Sequence, residues 1–355
     1  MKKSLFLAAI LLVAGTLAAQ TFPRRVIIEQ FTTAQCGYCP AGMDRISAAT
    51  EGTSGLIWIK YHSGFGTDQL TNPVAEYMIR YFGDENTFAP AMMIDRKRLD
   101  NSRPGPVMSV GQTLDIRRTI SQRRQVKSSC KFDQPDIIYD VASRRLHGTI
   151  SGRFDSGANI DSARLVVYLI EDSISMQQRD YYNGNSATGY YINYWHFGTV
   201  REAITDMVGE TVQVDQSADM TFSYALNYVM PQDCNYANCQ IVAVVYNYDE
   251  DDVNNCEVLN AIQSQYLDNN VGISDVSNSC SLHLFPNPAQ HHVIIEADTP
   301  VSRVAVLDAM GRQLISLDTD GQQQADLDIS SLSTGVYIVC VLTAQGYATR
   351  QLVIK

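Results

Sequence analysis

Cys36 and Cys39 are separated by two residues in Gln35-Cys36-Gly37-Tyr38-Cys39-Pro40, a spacing that lets two thiols form and break one disulfide. The pair falls between a strand-like run, Val26 to Phe31, and residues Pro40 to Ala49, where apolar Met43, Ile46 and Ala49 recur at helical intervals. A helix N-terminus presents free N–H groups and partial positive charge, and both stabilise a thiolate. A cysteine at the position of Cys36 would attack a disulfide, and Cys39, one turn later, would resolve the mixed intermediate. The same two residues serve equally well as a static staple across the helix start. Zinc is a weaker reading, because no second close Cys/His pair completes four ligands. No metal or other cofactor is expected. His62, the nearest histidine, is expected at the surface or in a structural role.

The elements that must hold this pair read as an α/β unit over residues 21–130. Leu56 to Tyr61 and Ala91 to Ile94 are further strands. Asn72-Pro73 opens a helix that Gly83 stops, and a long polar helix covers about Ser109 to Lys127. From 131 to 266 the helical signals fade into short apolar or alternating runs, among them Ile137–Val141, Leu165–Ile170, Met220–Tyr224 and Ile241–Tyr246, which suggests a β-rich sandwich. Residues 267–279 form a polar linker, and 280–355 carry seven short strands, the pattern of a small immunoglobulin-like sandwich.

Both composition and the chain start point to export. Lys2 and Lys3 precede an apolar run from Leu5 to Val13, and small residues follow to Ala19, so residues 1–20 read as a cleavable signal peptide. No Cys follows that run, which argues against a lipoprotein anchor. No later segment is long and apolar enough to be a membrane-spanning helix. The 355 residues carry 27 Lys+Arg against 38 Asp+Glu, and an exported chain of charge −11 is no general nucleic-acid binder. Eight cysteines in an exported protein favour disulfides. The close pairs are Cys36–Cys39 and Cys234–Cys239. Three connectivities remain for the other four cysteines, and Cys130–Cys256 with Cys280–Cys340 keeps each bridge within or beside one expected domain.

Resemblances sharpen these readings. Leu284-Phe285-Pro286-Asn287-Pro288-Ala289, Asp308-Ala309-Met310-Gly311-Arg312-Gln313, Leu332-Ser333-Thr334-Gly335-Val336-Tyr337 and the terminal Val353-Ile354-Lys355 resemble, in order, the type IX secretion sorting domain of Bacteroidetes. That resemblance implies contact with the type IX secretion machinery and delivery to the outer membrane, the cell surface or beyond. The strand–Cys-x-x-Cys–helix order resembles the thioredoxin fold, with Phe31 five residues before Cys36 and a Gly37-Tyr38 dipeptide shared with periplasmic disulfide isomerases. It implies a cis-proline facing the cysteines and contacting substrate peptide, for which Pro90 in Ala89-Pro90-Ala91 is the candidate. The buried acid of thioredoxins falls at Gln30, one residue past Glu29, which puts proton-transfer chemistry in doubt. Glu29-Gln30-Phe31-Thr32, Cys36 to Pro40 and His196-Phe197-Gly198-Thr199-Val200-Arg201 resemble the twenty-eight-kilodalton outer-membrane-protein family of Bacteroidetes, whose implied role is that of a surface adhesin or receptor.

Two functions follow. A binding module would use the aromatic stretch Tyr190, Tyr191, Tyr194 and Trp195, with surface lipopolysaccharide or a host or matrix molecule as ligand. A thiol–disulfide oxidoreductase or isomerase would act on exported thiol proteins through Cys36-Gly37-Tyr38-Cys39. Export weighs against the second, because a dithiol outside the cell oxidises without an electron donor. Nine Lys/Arg between residues 96 and 127 read as a solvated helix face. Asp249 to Asp252 fails the EF-hand spacing at Val253.

Overall fold

The computed structural model describes residues 22–83, 88–184, 188–217, 219–267, 282–308, 313–319, 321–343 and 346–355. The expected signal peptide, Cys280 and the turn at 309–312 lie outside them. The first elements are β1 (Ile27–Thr32), α1 (Cys39–Thr50), β2 (Ile57–His62), α2 (Pro73–Gly83), β3 (Ala91–Ile94), β4 (Met108–Ser109) and α3 (Thr113–Gln125). Then come β5 (Cys130–Phe132), β6 (Asp136–Asp140), β7 (Arg145–Phe154), β8 (Ala163–Glu171), β9 (Ile174–Arg179), β10 (Tyr190–His196) and β11 (Thr199–Ala203). β12 (Glu210–Thr211), β13 (Val214–Asp215), β14 (Thr221–Val229), β15 (Cys239–Asn247) and β16 (Val258–Gln263) complete that part.

Strands from both sides of residue 130 share one nine-stranded sheet, ordered β16-β15-β8-β11-β2-β1-β3-β4 with β12 also on β8. β2 runs parallel to both of its neighbours, β1 and β11. β8 and β15 are almost wholly apolar and buried on both faces, as central strands covered on both sides must be. One face carries α2, whose Val74, Met78, Ile79 and Phe82 pack on Ile27, Ile59, Tyr168 and Val242. The other face is covered in two halves. Ile46 and Ala49 of α1 and Ile116 and Ile120 of α3 pack on Ile28, Met92 and Ile94. A five-stranded sheet, with β13, β14, β7 and β5 in order and β6 also on β7, lays Ile150, Phe154, Phe222 and Leu226 on Leu165, Val167, Ile241 and Val245.

The C-terminal unit holds β17 (Leu282–Phe285), β18 (His292–Ala297), β19 (Val301–Leu307), β20 (Gln313–Asp318), β21 (Gln324–Asp328), β22 (Gly335–Thr343) and β23 (Gly346–Ile354). They form two sheets, β17-β18-β21 and β20-β19-β22-β23, that share one core of Val293, Ile295, Leu327, Val304, Val339 and Leu352. The Pro-Asn-Pro opening has a physical task. Asn287 donates from Nδ2 to the Gln351 carbonyl at 2.7 Å and accepts from the Val353 N–H at 2.9 Å, tying the start of the unit to β23.

One charged pair sits inside the α2-side core. Arg96 Nη2 donates to Glu29 Oε1 at 2.8 Å and Nε to Oε2 at 2.9 Å, with both side chains at most 1% exposed. Tyr61 donates its hydroxyl to Glu29, Arg96 also donates to the Tyr168 hydroxyl, and the guanidinium lies over the rings of Phe82 and Tyr246. Asp95 and Arg96 both adopt left-handed backbone, with φ of 51° and 50°. L-residues pay for that conformation, of order 1–2 kcal/mol each. The turn lets Asp95 face Arg24 and Arg123 and accept from the Ile27 N–H, while Arg96 reaches Glu29. The basic run is thus not one solvated face: Arg96 and Arg123 are buried, whereas Arg117, Arg118 and Arg124 are exposed.

Removing one partner leaves a buried charge without its counter-ion. Glu29→Gln is expected to lower the unfolding free energy by about 3–5 kcal/mol. The Glu29→Leu/Arg96→Met double variant, which removes both charges, is expected to lose much less. Urea unfolding of the full chain measures both.

Candidate functional site

β1 ends at Thr32, and the chain then turns twice before α1. The Cys36 N–H bonds to the Thr33 carbonyl and the Cys39 N–H to the Cys36 carbonyl, both at 3.1 Å, which brings the cysteines together at the helix start. Their sulfurs form a disulfide, with Cα atoms 5.3 Å apart. The Ala89–Pro90 peptide is cis, and Pro90 lies against the first turn of α1. Gly42 permits this contact: a Cβ there would come within 2.8 Å of the Pro90 ring. Pro90, far from the cysteines in sequence, therefore packs on the helix that Cys39 opens.

The disulfide is covered. Cys36 is 3% exposed and Cys39 not at all. The cover is the antiparallel β9–β10 hairpin and the turn after β9. The Arg179 N–H donates to the Ala34 carbonyl at 2.8 Å and the Tyr181 N–H to the Gly37 carbonyl at 3.0 Å. Gln178 is fully buried, and its amide nitrogen lies 2.9–3.4 Å from the carbonyl oxygens of Thr33, Ala34, Cys36 and Arg179. Since all four partners are acceptors, the amide orientation is fixed by this network. Tyr181 lies on Gly37, where a Cβ would sit 2.6 Å from its ring, and packs edge-on to Tyr38 at 4.8 Å. A side chain at position 37 would have to displace that ring.

Under the hairpin lies a polar row. His62 is fully buried, and its Nδ1 is 2.7 Å from Asp68 Oδ2, which also accepts from the Ala34 N–H. Burial alone would raise the Asp68 carboxyl, but the hydrogen bond and charge of His62 with the N–H groups of Ala34 and Leu70 outweigh it and hold it at about 2. His196 meets His62 edge-on at 5.1 Å. Lys60 donates to the Phe197 carbonyl at 2.7 Å, and burial lowers its ammonium to about 8 against the opposing charge of Asp172. The expected surface or structural role of His62 resolves to a structural one: it fixes the 67–71 loop beside the disulfide. Glu29 faces the opposite side of β1 and is held by Arg96, away from the cysteines.

The aromatic stretch divides. Tyr190 and Tyr191 are half-buried. Tyr190 lines a cavity of about 580 Å³ with Gln35, Thr67, Gln69, Ser175 and Gln177. Tyr194 and Trp195, expected as ligand contacts, are each only 5% exposed. The pleat of β10 turns Tyr194 toward Met43, and Trp195 packs on Ala305, Leu307 and Cys340 of the C-terminal unit. The cysteine pairings also divide. Cys130 and Cys256 do not bond: both are free thiols, one in the core under the five-stranded sheet and the other in the α2-side core against Tyr81, with the nine-stranded sheet between them. Cys234 and Cys239 are neighbouring buried thiols. Cys280 lies outside the described residues, and burial pushes the Cys340 thiol up to about 12. Gln178, Tyr181, Asp68 and Gly42 surround the disulfide loop and α1, and no local signal in the sequence marks them.

Comparison with known proteins fits this architecture. Residues 139–268 match the family described as outer membrane protein Omp28, and residues 283–355 match the secretion system C-terminal sorting domain. No curated protein matches the chain. Among solved structures, HBP35 of Porphyromonas gingivalis is 17% identical with a TM-score of 0.58, covering 94% of this chain and 99% of its own, a likeness of fold. A domain of the outer membrane lipoprotein Omp28 from the same organism is 18% identical over 39% of this chain and 88% of its own, at a TM-score of 0.22. A protein of Agrobacterium tumefaciens is 11% identical over 72% of this chain and 100% of its own, at 0.43. The last two superpose too loosely to bear on the fold. The chain is an exported protein of the outer membrane or cell surface, with a type IX sorting domain at its C-terminal end.

The covered row also has a pH signature. Burial first, then the charges of His62 and Lys60, hold the His196 imidazolium well below its usual 6.5, and Asp68 opposes this only in part. The folded chain resists a proton that the unfolded chain accepts. The resulting stability is fully present above pH 6.5 and falls as the pH drops below it, at no more than about 1.4 kcal/mol per pH unit. Urea midpoints at pH 7.5 and pH 5 are expected to fall on acidification in the wild type and to fall less in His196→Leu.

Proposed function

We propose that this outer-membrane-associated, exported protein is a surface binding protein built on a thioredoxin-like scaffold, with Cys36–Cys39 as a structural staple. The scaffold reading rests on the parallel β1–β2 pair, the disulfide at the start of α1, the cis-Pro90 before antiparallel β3, and Gly42 beneath that proline. One observation carries the functional reading. The face on which a redox-active pair would meet a substrate is occupied by the chain itself, through Gln178, Arg179 and Tyr181. Thiol–disulfide exchange needs in-line access to a sulfur, and neither cysteine is accessible.

The open groove beside that cover is the ligand site of this reading. It is lined about equally by polar groups and by apolar Met176, Ile192 and Tyr190, and the Asp68 carboxylate in its wall is already engaged by His62 and the N–H groups of Ala34 and Leu70. Surface lipopolysaccharide and host or matrix molecules are the candidate ligands. The oxidoreductase reading keeps one point in its favour, the position of both cysteines at the start of a helix against which cis-Pro90 packs. It requires the hairpin to lift.

Two assays on the full chain separate the readings. In insulin reduction, wild type and Cys36→Ala are expected to be equally inert, and activity confined to the wild type would make the enzyme reading the correct one. Binding to lipopolysaccharide and extracellular-matrix surfaces is expected to survive Cys36→Ser/Cys39→Ser. It is expected to weaken about tenfold or more in Tyr190→Ala, the loss of roughly 1.4 kcal/mol or more of aromatic contact.

A further inference from the structure

The row of residues that crosses the sheet below the covered disulfide ends at a second cysteine pair. Reading across, Gln30 lies opposite Lys60, Lys60 opposite Thr199, Thr199 opposite Glu171, and Glu171 opposite Cys239. Cys239 opens β15. Cys234 lies five residues earlier, on the far side of a turn built on a short 3-10 helix at Tyr236–Asn238. Both cysteines are buried, at 4% and 0% exposure, and both belong to the core under the five-stranded sheet. The Cys239 Sγ donates to the carbonyl of Asn235, the residue after Cys234, at 3.2 Å, and both cysteines lie within electrostatic reach of each other and of Glu171.

The turn that carries them is held independently of any sulfur chemistry. Arg144 donates to the Pro231 and Cys234 carbonyls. The Asn235 N–H donates to Glu171 Oε1 at 2.8 Å, and Arg201 bridges Glu171 and Asp233. The Tyr236 ring stacks on Tyr139 at 4.6 Å. The thiols are therefore held side by side by the surrounding turn. Joining them would leave no group stranded: the Asn235 carbonyl, which loses the Cys239 thiol, keeps the Asn238 N–H, and Glu171 keeps Arg201 and the Asn235 N–H.

We propose that Cys234 and Cys239 are joined as a second short-loop disulfide when the protein is exported. The step is a thiol–disulfide exchange on the exported chain before folding buries the pair, with a disulfide-bearing oxidant of the oxidising compartment, whether a small molecule or a protein. The Cys234 thiol loses its proton, and its sulfur attacks the donor disulfide. The Cys239 sulfur then displaces the donor from the mixed disulfide. One S–S bond forms in the chain and one breaks in the donor, and the two electrons and two protons from the chain leave with the donor as two thiols. By contrast Cys130 and Cys256, separated by the sheet, remain thiols.

The test is peptide mapping of the full chain, produced with export, quenched in acid and alkylated in denaturant without reduction. Chymotryptic cleavage after Tyr236 separates the two cysteines, so the bridge appears as a linked pair of peptides. The expected result is that linked pair, with Cys234 and Cys239 alkylated only after reduction. Alkylation of both before reduction, or linkage of either to another cysteine, overturns the proposal. Repeating the mapping in Cys36→Ser/Cys39→Ser tests the source of the oxidation. The linked pair is expected to persist there, and its loss would overturn the external oxidant by showing that the first disulfide donates it.

Discussion

The buried Glu29–Arg96 pair is the contact through which the molecule is organised. Glu29 comes from β1, Arg96 from the turn after β3, Tyr168 from β8, and the two rings over the guanidinium from α2 and β15. A charge at this depth survives only with its counter-ion and its remaining donors satisfied. The five elements are therefore held at one mutual position. Since β1 is among them, the loop that leaves β1 for α1, and with it the disulfide, inherits that position. The neighbouring residue, Asp95, does the same on the other side by gathering Arg24, Arg123 and the Ile27 N–H.

That fixed frame explains how a reactive motif can be kept inert in the proposed role. β11 pairs with β2 on one side and β8 on the other, so the chain from 174 to 196 has to leave the end of β8 and return to β11 beside it within about twenty residues. The hairpin it forms has the cysteine loop beneath it. Gln178 offers one amide to three carbonyls of that loop, and Tyr181 fills the space above Gly37. Polar groups that would otherwise hydrogen-bond a substrate or water are bonded to the protein's own backbone. Exposing them again means breaking those bonds against buried acceptors, each worth about 0.5–1.5 kcal/mol.

Much of the local structure is legible in the sequence. Short apolar, β-branched or aromatic runs mark β1, β2 and β3 within a residue or two, Asn72-Pro73 and Gly83 bracket α2, and the turns of the C-terminal unit separate seven strands. Pro90 is identifiable as the proline before a strand, and it is cis. What escapes the sequence is contact across long separations. β8 and β15 read as strands of a separate sandwich because their apolar runs carry no information about which sheet they join. The burial of Tyr194 and Trp195 depends on partners 151 residues away at Met43 and in the C-terminal unit. The basic run 96–127 looks uniform, yet two left-handed residues send Arg96 inward. Nothing local distinguishes Gln178 from Gln177 beside it.

The account turns on whether the β9–β10 hairpin closes over the Cys36–Cys39 disulfide in solution. The direct measurement is the rate at which a water-soluble phosphine reduces that disulfide in the native full chain, read by alkylation and mass spectrometry, for wild type and Gln178→Ala. The account predicts slow reduction in the wild type, limited by opening of the cover, and reduction about tenfold faster in Gln178→Ala, the equivalent of roughly 1.4 kcal/mol of lost hydrogen bonding. Native wild type reduced as fast as the urea-unfolded chain, with no change on Gln178→Ala, would contradict it.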